Sequence, residues 1–194
     1  FSSALRSILR QDPDIIMVGE VRDEETVELA IRASLTGHLV FSTVHTNDAA
    51  SGFTRLLNWN VEPFLITSTV KGILAQRLVR RLCEECREPY KPTTQELNMA
   101  GLSDYSNLKA FKSTGCLNCR NTGYKGRIGI YELLLMDNDI AELILEGVPA
   151  YKMREQARKN GMKTLLEDGV TKIERGDTSI SEIYETLGAT QIVS

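Results

Sequence analysis

The sequence predicts an α/β fold with a parallel sheet, and three observations predict it. Short apolar runs alternate with amphipathic segments over the first eighty or so residues. A turn-rich stretch holding all four cysteines follows. The rest reads as one strand and then helices separated by glycines. The implied division is 1–82, an α/β part; 83–125, a four-cysteine module; and 126–194, a helical C-terminal part.

Phe1, Ala4, Leu5, Ile8 and Leu9 fall on one face of a helix. This helix opens without a cap, which suggests a longer parent chain. Pro13 ends it, and Ile15 to Val18 read as a buried strand. Asp23 or Glu24 starts the next helix, and Gly37 stops it. Leu39 to Val44 form a second strand. Asn47 or Asp48 opens a third helix, and Pro63 fits the first turn of a fourth. Leu74 to Leu82 is expected to be a strand. Within 83–125 only Thr93 to Ala100 has a helical pattern. Gly129 to Leu135 read as a strand, followed by helices near 138–146, 150–160, 164–175 and 179–187. Ser179 with Glu182 has capping-box spacing.

Composition narrows the function classes. With 194 residues, 42% of them apolar, the chain can bury a core. A net charge of −3 gives no general reason to expect nucleic acid as a partner. Lys71, Arg77, Arg80, Arg81 and Arg87 cluster, but Glu84, Glu85 and Glu88 interrupt them and no aromatic ladder accompanies them. The apolar runs are too short to span a bilayer, and no signal peptide is seen. The expected location is the cytoplasm.

The cysteines form two knuckles, Cys83-x-x-Cys86 and Cys116-x-x-Cys119. Two such knuckles can supply a tetrahedral sulfur site, which suits Zn2+ and leaves no position open for water. The expected role is a structural staple for a segment too small to bury much core. Free thiols, two redox pairs or an iron–sulfur cluster are the alternatives.

The run Ile15-Ile16-Met17-Val18-Gly19-Glu20 ends in a carboxylate. In a parallel sheet the carboxyl ends of strands face the ligand crevice. A carboxylate there can orient an attacking water beside a nucleotide phosphate. Glutamate at a strand end is more often just the first exposed residue. The next strand ends in Thr43, His45 and Thr46, which are suited to sensing a phosphate. The chain's two histidines, His38 and His45, flank that strand.

Residues 9–23, including Asp14-Ile15-Ile16-Met17-Val18-Gly19-Glu20-Val21-Arg22-Asp23, resemble the Walker B region of type II secretion and type IV pilus assembly ATPases. Thr36-Gly37-His38-Leu39-Val40-Phe41-Ser42-Thr43-Val44-His45-Thr46-Asn47 resembles their His box. Leu74 to Cys83, the second knuckle, and Thr122 to Leu133 also match, so the resemblance covers essentially the whole chain. It implies a RecA-like P-loop NTPase domain with a zinc insert. It implies hexameric rings, peripheral to the bacterial inner membrane, that use ATP and Mg2+ and engage inner-membrane platform proteins. By this resemblance Glu20 is the Walker B catalytic glutamate, His38 and His45 are the His-box residues, and Arg22 lies near the nucleotide or a neighbouring subunit; with Thr43, read from its strand end, these three form the nucleotide-sensing set. The four cysteines favour the assembly and secretion branch over retraction motors.

One motif is absent from the sequence. No Gly-x-x-x-x-Gly-Lys-Ser/Thr run occurs. The expectation is that these residues alone bind ATP poorly and hydrolyse none. The alternative function is a zinc-stabilised interaction module that docks the motor to its partners.

Overall fold

The computed structural model describes Gln11 and residues 13–188. The opening helix expected at Phe1 to Leu9 lies outside them. The elements in order are β1 (Ile15–Val18), α1 (Glu24–Leu35), β2 (Leu39–Ser42), α2 (Ala49–Asn58), α3 (Pro63–Thr69), β3 (Gly72–Leu82), β4 (Arg87–Tyr90), α4 (Thr94–Met99) and β5 (Ala110–Ser113). A short 3-10 turn (Leu117–Cys119) precedes β6 (Tyr124–Leu135), α5 (Asn138–Leu145), α6 (Ala150–Lys159), α7 (Leu165–Glu174) and α8 (Ile180–Leu187).

Contacts group the chain into two units: residues 1–75 with 133–162, and residues 76–132 with 163–194. This partition differs from the three consecutive segments expected from sequence. The C-terminal helices divide, α5 and α6 joining the first unit and α7 and α8 the second. The boundary falls within β3 and within β6.

In the first unit β1 and β2 pair in parallel, with Ile15 opposite Leu39 and Val18 opposite Ser42. The crossover is α1. Asp23 caps it, its Oδ1 accepting the Thr26 amide at 2.8 Å. Helix α2 starts the same way, the Ser51 amide donating to Asp48 Oδ1 at 2.8 Å. Among the described residues only one face of β1 is buried, which corrects the expectation of a buried strand. Ile16 and Val18 are sealed, whereas Ile15 is 61% and Met17 65% exposed. Side chains alternate with a period of two, so helices on one side cover only every second residue. Leu39 and Phe41 share the uncovered face with Ile15 and Met17. The core gathers around Phe53, Ile66, Ile140, Ile144 and Met153, all fully buried. Burying side chains of this size contributes about 1.5–3 kcal/mol each.

In the second unit β4 and β5 form an antiparallel ribbon that the sequence did not suggest. The ribbon is short, Pro89 interrupts its alternation, and Arg87 and Glu88 disguise it as a loop. The cysteine segment also builds a small core, with Leu97, Leu102, Leu108 and Ala110 buried. It shares that core with α7. A Cβ on Gly176 would meet the Phe111 ring at 2.9 Å, and Arg87 Nη1 donates to the Gly176 carbonyl at 2.6 Å. A helix capping box forms at α7, where Thr164 and Glu167 exchange side-chain to amide bonds of 3.3 and 2.8 Å. At α8 Ser179 does accept the Glu182 amide. The Glu182 carboxylate turns instead to β3, accepting the Arg80 amide at 2.7 Å and Arg80 Nε at 2.6 Å.

Candidate functional site

Glu20 follows β1 by two residues, at the carboxyl edge of the parallel pair. The chain leaves β2 at the same edge, and backbone pairing continues there. The Val21 amide donates to the Thr43 carbonyl at 2.9 Å, and the Thr43 hydroxyl donates to the Gly19 carbonyl at 2.6 Å. These two bonds hold the exits of both strands together. A Cβ built on Gly19 would meet nothing within 4 Å, so the space beside this exit is open among the described residues.

Both carboxylate oxygens of Glu20 are engaged. Arg22 Nη2 lies 2.6 Å from Oε2, and His45 Nε2 lies 2.7 Å from Oε1. The Arg22 guanidinium holds the Glu20 carboxyl below the usual carboxylate range; burial opposes this, and His45 adds a smaller pull. Each oxygen has a second lone pair, so the carboxylate can still accept a bond from water. Glu20, Arg22, Thr43 and His45 are therefore one cluster.

His38 is not part of it. It precedes β2, at the end opposite His45, about 13 Å of strand away. Its Nδ1 sits 2.9 Å from the Ala33 carbonyl and 3.0 Å from the Thr36 hydroxyl, at the C-terminal end of α1.

The four cysteines converge in the second unit. Their sulfurs all lie within 4.8 Å of one another. The separations are 3.8 Å for Cys83–Cys116, 3.8 Å for Cys86–Cys119 and 3.7 Å for Cys116–Cys119. A disulfide would need about 2.0 Å. A tetrahedral ion with metal–sulfur bonds of about 2.3 Å sets its sulfurs about 3.8 Å apart, which matches. The donor set thus fits a four-thiolate metal site.

Local backbone explains how the knuckles close. The turn after Cys119 runs through left-handed residues Arg120 (φ 52) and Asn121 (φ 60). Gly123, at φ 79, then passes so near β5 that a Cβ would lie 2.0 Å from Ser113 Oγ. The Cys116 and Gly123 amides donate to Cys119 Sγ at 3.2 and 3.3 Å. Burial pushes the Cys86 thiol up to about 12. Burial also works against the Cys119 thiolate, but the two amides prevail and bring that thiol down to about 6.

Sequence reasoning missed one feature beside the carboxylate site. Arg154 of α6 donates through Nη2 to Asp48 Oδ2 at 2.8 Å. Asp48 was readable as a helix cap, but no local signal pairs it with a residue so far along the chain.

The architecture is an α/β fold shared with solved ATPases and motors. The chain superposes on the pilus retraction motor PilT with bound ADP at a TM-score of 0.66 and 27% identity, covering 97% of this chain and 43% of that one. Against the ATPase DotB of Legionella pneumophila the TM-score is 0.65 at 23% identity, with 95% and 41% covered, which shows the fold alone. The chain belongs to the Type II/IV secretion system protein family, whose family model matches residues 1–185. It is 51% identical over 185 residues to the type IV pilus assembly ATPase PilB of Thermus thermophilus, and 46% identical over 183 residues to the type II secretion system ATPase E of Vibrio cholerae. Each match covers 94% of this chain, but only 21% and 36% of those relatives' lengths.

Proposed function

We propose that this chain is the C-terminal part of an ATPase that powers type II protein secretion or type IV pilus assembly, with Glu20 as its hydrolytic carboxylate. The observation that carries this is the placement of Glu20 at the carboxyl edge of β1, with each oxygen held by a separate partner. In the complete site ATP supplies the phosphoryl group, and Mg2+ offsets its charge. Glu20 accepts a hydrogen bond from the attacking water and keeps it in line. Arg22 and His45 fix the carboxylate and keep it ionised. Thr43 locks the two strand exits together. His38 lies at the far end of β2, so any part it takes in sensing the nucleotide is indirect.

The four cysteines hold a structural Zn2+. The sulfur spacing supports this, and four thiolates leave no catalytic position. The working assembly is a hexameric ring on the cytoplasmic side of the inner membrane, engaged with platform proteins. No helix among the described residues is long and apolar enough to cross a membrane, which is compatible with a peripheral position. Without a phosphate loop these 194 residues turn over no ATP by themselves.

The decisive experiment is Glu20→Gln in the longer protein. Turnover is expected to fall by about 10²- to 10⁴-fold while nucleotide binding is retained. Unchanged turnover would remove Glu20 from the reaction. A second, compatible reading is a docking role for the cysteine module. Leu117, an apolar side chain 91% exposed between the two cysteines of a knuckle, is the position whose substitution tests it.

A further inference from the structure

His45 reaches Glu20, yet its own ring is 87% exposed. Packing of the ring cannot set its position, so the backbone on either side must. The segment from Thr43 to Asp48 is pinned at its front by Thr43, through the bonds to Val21 and Gly19. At its rear it is pinned by Asp48. One oxygen of Asp48 caps α2 through the Ser51 amide, and the other accepts Arg154 of α6. Within the segment the Thr46 hydroxyl donates to the Asp48 carbonyl at 3.1 Å. The Arg154 and Asp48 side chains are only 18% and 13% exposed, unlike solvated surface pairs whose contribution is small. One carboxylate thus joins α2, α6 and the segment that carries His45.

We propose that Arg154 is a positioning residue for the Glu20 site, acting through Asp48 to hold residues 43–48 so that His45 meets Glu20. Asp48 lies three positions after His45, a reach of about 10 Å, so displacement at the anchor is passed on to the ring. The consequence for hydrolysis rests on the ATPase reading above; the structural coupling does not.

Three variants test it. Arg154→Met keeps length and removes charge. Arg154→Lys keeps charge with fewer donors. Asp48→Asn removes charge but leaves an oxygen for the Ser51 amide, so α2 stays capped. In the 194-residue chain, NMR order parameters of the amides of residues 43–47 should fall in Arg154→Met and Asp48→Asn and recover in part in Arg154→Lys. In the longer protein, assayed well below each variant's thermal midpoint, kcat should fall about tenfold to a hundredfold with KM for ATP nearly unchanged. The double variant should be no worse than either single one, because both remove the same link. Unchanged order parameters overturn the proposal whatever the rates, and so does an unchanged kcat in a parent that hydrolyses ATP. A parent without ATPase activity sinks the ATPase reading, and the order parameters then decide the positioning role alone. If Arg154→Met does not fold, Asp48→Asn carries the test.

Discussion

Glu20 is held by Arg22 and His45, whose side chains are 76% and 87% exposed, whereas Cys83, Cys86 and Cys119 are nearly sealed from water. Both sites gather charged or ionisable groups by short loops, yet they suit opposite tasks. Among the described residues, the carboxylate cluster lies beside open space at Gly19. Its ion pairs sit in a high dielectric and contribute little to folding. The thiols lie in a closed shell, with amides already directed at Cys119. A cation bound there would offset the burial penalty on the three buried thiolates, and its binding free energy would become folding free energy. On the proposed roles, openness suits a site that must admit substrate, and closure suits a site that staples.

The largest expected effect tests the closed side of this contrast. Stripping the metal, or Cys119→Ser, should destabilise the second unit by several kcal/mol and lower its thermal midpoint by about 10 °C or more. Amide exchange should accelerate through residues 76–132, while the β1–β2 amides of the first unit keep their protection. Equal loss in both units would show that the cysteines do not staple one unit in particular. Metal content should read one ion per chain.

A smaller effect is expected inside the same unit. Glu182→Ala removes the acceptor for both the Arg80 amide and Arg80 Nε. Leaving that amide without its partner should cost about 1–3 kcal/mol in urea unfolding. A change within error would mean that water replaces the carboxylate there.

The smallest effect belongs to the open site and is one of pH. The folded-state pKa of Glu20 is lowered, chiefly by Arg22. Its stabilising contacts are therefore complete above the ordinary glutamate range and are lost as pH falls through the lowered value. NMR of the Glu20 carboxyl carbon should show a midpoint below that range. The midpoint should rise in Arg22→Ala and rise less in His45→Ala. A larger rise in His45→Ala would reverse the ranking of the two partners.

Local order was largely legible in the residues. Asp23, Asp48 and Ser179 cap helices because a short side-chain oxygen accepts a nearby amide, which depends only on a few neighbouring residues. The parallel β1–β2 pair, the Glu20 strand end and the two cysteine knuckles followed from period and spacing in the same way. Long-range partners were not legible. The spacing of Ser179 and Glu182 suggested a capping box, but Arg80, a distant residue in sequence, takes the carboxylate. His38 and His45 look like a pair in sequence. A four-residue strand between them carries them to opposite ends, because an extended chain advances about 3.3 Å per residue.

The sequence by itself determined the α/β class, the helix starts, the carboxylate at the end of β1 and the four-thiol donor set. Each of these depends on residues close together in the chain, where backbone geometry leaves few choices. Only the tertiary structure decided that α5 and α6 serve the first unit and α7 and α8 the second, that His45 rather than His38 meets Glu20, and that Arg154 anchors Asp48. Those outcomes depend on which faces are buried together, and no local pattern of residues encodes a partner a hundred positions away.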